Sequence, residues 1–194
     1  MRKLTREDLL GLEAYARERK EFRARILDHK KRRQLQVGPN SLWYFEDRLT
    51  VQYQIQEMLR AERIFEPEGI AEELAAYNPL IPDGGNWKVT LTIEFPDPDE
   101  RRPALARLKG VERRCWVRAQ GGERIWAVAD EDLERENEEK TSAVHFLRFE
   151  LDDAMRTALK GGAMLALGID HENYRHTIED VPAPVRQSLI GDLD

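Results

Sequence analysis

The stretch WKVTLTIEF, residues 87–95, decides the class of fold. Val89, Leu91, Ile93 and Phe95 alternate with polar residues, so a pleated strand here has one apolar face and one wet face. Pro96 and Pro98 stop it, because proline cannot donate to a strand ladder. Working outward, DERRPALARLKG (99–110) predicts a short helix with Gly110 as its C-cap. RCWVRAQGGERIWAVAD (114–130) predicts a hairpin turning at Gly121-Gly122. The order over 87–129 is β-α-β-β. It suits half of a ferredoxin-like fold, and equally a β-sandwich.

The C-terminal side continues the pattern. SAVHFLRFEL (142–151) and AMLALGI (163–169) predict strands, and DDAMRTALKGG (152–162) and PAPVRQSLIGDL (182–193) predict short helices. EDLERENEEK (131–140) has the composition of a charged helix, and DHENYRH (170–176) that of a turn or loop. On the N-terminal side, Thr5 and Asp8 form a capping pair. Leu12, Tyr15, Phe22 and Ile26 form a helical stripe that weakens near Glu18. Leu35 and Val37, a Gly38-Pro39-Asn40 turn, and Leu42 to Phe45 predict a hairpin. Residues 47–65 and 67–77 predict two helices, the second opened by Pro67. The expected fold is therefore α+β: an antiparallel or mixed sheet with short interleaved helices, preceded by an N-terminal helical and hairpin segment. We expect a single domain over 1–194, with helices plus a hairpin in 1–80 and a sheet-rich part in 86–194.

A chain of 194 residues can bury roughly 70% of its unfolded surface. No apolar run approaches the length of a membrane span, and the first twenty residues lack the apolar core of a signal peptide. A cytoplasmic protein is expected. The only cysteine is Cys115, which excludes an intrachain disulfide and cysteine-rich metal sites. A lone strand cysteine reads first as a small core residue, and as a thiolate only if it faces a cation. Net charge is −6, with residues 1–33 holding twelve Lys/Arg against six Asp/Glu. A basic arm on an acidic body suits an anionic partner, self-association into a homo-oligomer, or simply a solvated helix face. Nucleic acid is disfavoured by the pI of about 5.4 and by the lack of an aromatic-studded strand pattern.

Chemistry-bearing residues are few. In SAVHFLRFEL, His145 shares a face with Ala143, Leu147, Phe149 and Leu151, while Arg148 and Glu150 lie together on the other face. A histidine on an apolar face is either a core imidazole bonded to a carbonyl or carboxylate, or a metal ligand or general base. A metal site would need carboxylates to converge on it. Glu62 continues the stripe of Val51, Ile55 and Met58, and Glu57 sits at helical spacing from Tyr53 and Arg60. Asp170 and His171 follow a buried strand, and Glu172 and His176 would share a face if that turn were helical. The candidate ligand set for a transition metal is His145, Asp170, His171, His176, Glu62 and Glu57. Glu-x-x-His, His-Glu-x-x-His, phosphate-loop, dinucleotide-glycine and nucleophile-elbow patterns are all absent from the sequence.

Four stretches together resemble a known family: VGPNSLWYFEDRLTVQYQIQEMLRAERI (37–64), YNPLIPDGGNWKVTLTIEFPDPDERR (77–102), DLERENEEKTSAVHFLRFEL (132–151) and GIDHENYRH (168–176). They are similar to a bacterial family defined by a domain of unknown function, and the likeness spans essentially the whole chain. The resemblance implies a small stand-alone cytoplasmic protein whose gene often lies beside those of rubrerythrin and an iron–sulfur oxidoreductase. It implies no catalytic residues. The expected function is a non-catalytic binding or accessory protein of a redox, peroxide or iron-related system, with a protein partner and with metal or haem as a candidate ligand. The alternatives are a small metal-dependent oxidoreductase or hydrolase using His145 with carboxylates, and a purely structural interaction protein.

Overall fold

The computed structural model describes residues 1–131, 135, 137 and 139–194. The helix expected over 131–140 lies largely outside the described residues. In chain order the elements are α1 (Leu12–Lys30), β1 (Gln34–Gln36), β2 (Ser41–Glu46), α2 (Arg48–Glu62), α3 (Pro67–Tyr77), β3 (Asn86–Ile93), α4 (Pro98–Arg107), β4 (Cys115–Ala119), β5 (Ile125–Trp126), β6 (Val128–Ala129), β7 (Val144–Glu150), α5 (Asp153–Lys160), β8 (Leu165–His171), β9 (Tyr174–Ile178) and α6 (Ala183–Ile190). They build an α+β fold with two sheets, ordered β1-β2-β3-β7-β6 and β5-β4-β8-β9. Every described strand pair is antiparallel.

The β-α-β-β stretch does not close into a ferredoxin-like half. β3 belongs to the first sheet and β4 and β5 to the second, and the chain returns to the first sheet in β6. The reason is the pleat. β3 and β4 each bury one apolar face, and two such faces are both satisfied when they pack against each other. The main core joins Trp43, Phe45, Val89, Leu91, Leu147 and Phe149 of the first sheet to Val117, Leu165, Leu167 and Ile169 of the second. Trp43 stacks on Phe149 with ring centroids 5.6 Å apart. Leu159 of α5 and Leu189 of α6 are fully buried in the same core. Each such side chain contributes about 1.5–3 kcal/mol on burial.

A second, smaller core holds the helices. Val51, Ile55 and Leu59 of α2 pack with Leu4, Leu9, Ile70 and Ile81. Asp47 caps α2, its carboxylate accepting the Thr50 N–H at 2.9 Å. Glu62 does not continue the buried stripe: it is exposed, as the last residue of α2, beyond Leu59 and just before Arg63 turns left-handed at φ 56°. α1 runs without a break at Glu18, and Thr5 and Asp8 form their capping pair around a single 3-10 turn. DHENYRH is no loop. It completes β8, turns at Glu172-Asn173 and forms most of β9. Its polar look comes from one face of the hairpin: Asp170 and Arg175 are opposite each other, as are Gly168 and Thr177.

Candidate functional site

His145 stands on the inner face of β7, opposite Leu91, which in turn faces Trp43. Its ring has no exposed surface. Nδ1 donates to Asp130 Oδ2 at 2.6 Å, and Nε2 lies 3.0 Å from the Thr141 hydroxyl and 3.1 Å from the Ser142 carbonyl. Both nitrogens are engaged by the protein, which is what a buried imidazole requires. Asp130 does more than hold His145. Its Oδ1 accepts the Phe146 N–H at 2.9 Å and lies 3.2 Å from Arg135 Nε. Asp130 has φ 49°, the left-handed region that aspartate tolerates better than most residues. Glu131 then grips Arg148 with both oxygens, at 2.8 and 2.9 Å, and Arg148 also meets Glu150 at 2.5 Å. The polar residues of β7 are therefore anchors. They fasten the segment that crosses from the second sheet back to the first.

The other candidate ligands are placed elsewhere. Glu57 accepts the Tyr15 hydroxyl at 2.6 Å and a two-pronged bond from Arg19 at 2.8 and 2.7 Å, so it ties α2 to α1 rather than holding Arg60 alone. The Arg19 guanidinium holds its carboxyl down at about 2. His171 lies on β8 of the second sheet, with Nε2 donating to the Lys109 carbonyl at 3.0 Å and Nδ1 accepting the Asn173 N–H at 3.2 Å. His176 packs on Tyr174, with ring centroids 4.5 Å apart, against the turn at Gly38. Gly38 has φ 75°, and a Cβ there would stand 2.5 Å from the His176 ring. Glu172 is in the hairpin turn and does not share a helical face with His176. Asp170 points outward and pairs with Arg124 at 3.0 Å and Arg175 at 2.8 Å; Arg124 above all keeps its carboxyl below the usual carboxylate range. His145 thus sits in one sheet, Asp170, His171 and His176 in the other, and Glu57 and Glu62 on α2. Among the described residues no three His, Cys, Asp or Glu side chains are arranged to hold a metal ion. Cys115 is fully buried, and that burial, with Glu112 nearby, pushes its thiol well above the ordinary value, as suits a core residue.

Two features escape a reading of the sequence. The first is Arg33, the end of the basic DHKKRR cluster. It is 2% exposed and donates to the carbonyls of Phe45, Glu46 and Ser188 and to Asp192 at 2.6 Å. His29 joins the same cluster through Asp47 at 2.5 Å. Burial raises the carboxyl of Asp192 despite Arg33 beside it. The second is the outer face of the second sheet. Trp116 of β4 lies across from Trp126 of β5 on one side and Gly168 of β8 on the other. The Arg124 guanidinium sits 4.2 Å from the Trp116 ring centre and 5.8 Å from that of Trp126. Arg118 stacks on Trp116 at 5.6 Å and Arg114 on Trp126 at 5.1 Å. Gly168 permits this: a Cβ there would stand 2.5 Å from the His176 carbonyl oxygen and 3.0 Å from Trp116. Trp126 is left 40% exposed. The period-two alternation of CWVRA carries a signal for this face, because it puts Trp116 and Arg118 together opposite the core residues Cys115 and Val117.

A family model described as "Protein of unknown function (DUF3501)" matches residues 3–193. The chain is also similar to a solved crystal structure of a protein of unknown function from Burkholderia pseudomallei. The two are 52% identical over the whole of both chains, with a TM-score of 0.94. No curated protein matches. Among the described residues, no helix is long and apolar enough to cross a membrane.

Proposed function

Because the chain belongs to the DUF3501 family, which brings it no assigned reaction, we propose from its own residues that it is a non-catalytic binding or accessory protein. Its partner is an acidic protein surface, and the setting is the redox or iron-related system that the family resemblance implies. One observation supports this reading above others: the arginine–tryptophan face of the second sheet. Stacked arginines on exposed tryptophan are the residue types enriched where protein interfaces hold their energy. Their planar guanidinium groups match carboxylates on a partner. Arg114, Arg118, Arg124 and Arg175 stand there against Asp170 and Glu179, which leaves the face net positive on a net-negative molecule. That local contrast suits a partner with a defined acidic patch better than a nucleic acid, which the overall charge repels.

The test is charge reversal. Arg114→Glu with Arg118→Glu leaves the Asp170 carboxylate pairs with Arg124 and Arg175 intact and removes, at that residue, only the Arg114 bond to the Asp170 carbonyl. Cross-linking in the native host, read by mass spectrometry, should enrich an acidic partner with the unaltered protein and lose it with the reversed one. The purified pair should bind with an affinity that falls as salt rises. A partner set unchanged by the reversal sinks the proposal. So does binding of nucleic acid, in place of an acidic protein, through the same face.

A further inference from the structure

A cavity of about 470 Å³ lies on the opposite side of the molecule, between α3 with the turn that follows it and the outer face of the first sheet. Its apolar wall is Tyr77, Pro79, Leu80 and Phe146, and its polar edge is Lys88, Arg148 and Glu131, the last held by Arg148. The volume is that of a small-molecule site, and such sites are mostly apolar with a few placed polar groups.

The two cations do not stand alike. Lys88 and Arg148 are directly opposite in the β3–β7 ladder, an arrangement that is unfavourable for like charges unless something offsets it. Arg148 is offset by Glu131 and Glu150. Lys88 is not. Its other cross-strand neighbour is Glu46, whose carboxylate is occupied by the hydroxyls of Thr50 at 2.5 Å and Thr90 at 2.7 Å and the amide of Gln54 at 3.2 Å. Among the described residues no carboxylate lies within ion-pair distance of Lys88. Its ammonium is half-buried, and burial first, then Arg148, draws it below its ordinary value. An anion placed in the cavity offsets both effects, because it supplies a direct counter-charge where water is partly excluded.

We propose that this cavity binds a small organic carboxylate, with the carboxylate on Lys88 and the apolar body against Tyr77, Leu80 and Phe146. A monoanion fits better than a phosphate dianion, because Glu131 and Glu150 already hold two negative charges at the Arg148 side. This site is independent of the docking face on the second sheet, and either can fail without the other.

The experiment is calorimetric titration of the full chain with 1-naphthoate, 1-naphthalenemethanol and 1-naphthyl phosphate. We expect one saturable site, with 1-naphthoate at least tenfold tighter than the uncharged alcohol and tighter than the phosphate. Lys88→Met should abolish that tenfold preference while leaving the alcohol's affinity within a few-fold, and Lys88→Arg should retain it. Leu80→Trp, which fills the cavity without touching the charge, should remove binding of all three. Thermal melts establish that each variant is folded, and if Lys88→Met is not, Lys88→Gln reads the same preference. No saturable binding, a preference that survives the loss of the ammonium, or tighter binding of the phosphate overturns the proposal.

Discussion

Removing Asp130 should destabilise the protein more than removing any other single carboxylate near β7. Three groups depend on it: the His145 ring at 2.6 Å and the Phe146 N–H at 2.9 Å donate to it, and the Arg135 guanidinium forms an ion pair with it at 3.2 Å. In Asp130→Ala the His145 Nδ1–H is left in a site with no exposure. A buried donor without a partner costs about 1–3 kcal/mol, and breaking a buried ionic contact about 3–5 kcal/mol in all. Alanine at φ 49° adds about 1 kcal/mol of backbone strain. The expected loss is about 4–6 kcal/mol, or roughly 15 °C in melting temperature for a chain of this size. Asp130→Asn should be much milder, at about 1–2 kcal/mol. Asparagine tolerates the left-handed backbone, and its oxygen still accepts from Phe146. Its NH2 can donate to Nδ1 once the imidazole proton moves to Nε2, where the Ser142 carbonyl lies 3.1 Å away to accept it. Denaturant unfolding at pH 7, followed by tryptophan fluorescence, measures both variants. The anchor account of His145 would be refuted by a loss under about 1 kcal/mol for alanine, or by asparagine proving as damaging as alanine.

Further outcomes follow from the same contacts. The carboxyl of Glu57 is held down at about 2 from an ordinary 4.5. A depressed carboxyl stabilises the fold above its unfolded value and loses that contribution as pH falls through its folded one. The stability difference between the unaltered protein and Glu57→Gln should therefore be flat above about pH 5 and shrink between about 4.5 and 2; a difference that grows on acidification contradicts the Arg19 pairing. Gly168→Ala should cost about 1–3 kcal/mol by overpacking and shift tryptophan emission, since the new methyl meets the His176 carbonyl and the Trp116 ring; an unchanged spectrum and midpoint would contradict the close approach. Asp192→Ala strands the buried Arg33 and should cost about 3–5 kcal/mol, whereas Asp194→Ala, at an exposed carboxylate two residues on, should cost far less; comparing their urea midpoints decides it.

What was legible in the sequence was whatever depends on near neighbours in the chain. The alternation of Val89, Leu91 and Ile93 announces β3, and Gly38 announces the first hairpin, because pleat and turn are local properties. The question posed by His145 was legible too, but its answer lay fifteen positions upstream in Asp130. Three consecutive acids, Asp130, Glu131 and Asp132, close the apolar run before it, and nothing local chooses among them. Glu62 misled because a helical period says nothing about where the neighbouring core stops. DHENYRH misled because a strand with one wet face and a tight turn has the composition of a loop. Arg33 was invisible as a core residue, since its partners stand 155 and 159 residues away. The cavity at Lys88 needs the sheet register and the position of α3 together, and neither is a property of any one segment.

The Arg33 cluster also sets a clock. Synthesis proceeds at about 5–20 residues per second, so the guanidinium waits roughly 8–30 s for Asp192 to be made. During that interval β1, β2 and α2 hold a cation destined for the interior beside Asp47 at 3.7 Å, a carboxylate already shared with His29 and the α2 cap, and without its closer partner at 2.6 Å. That end of the first sheet therefore lacks its closest buried ion pair until residue 192 has been made. Its final consolidation falls to the last helix, whose Leu189 carbonyl also takes the buried Trp87 N–H at 3.0 Å. Chains stalled before that helix emerges are the ones this fold leaves open to proteases.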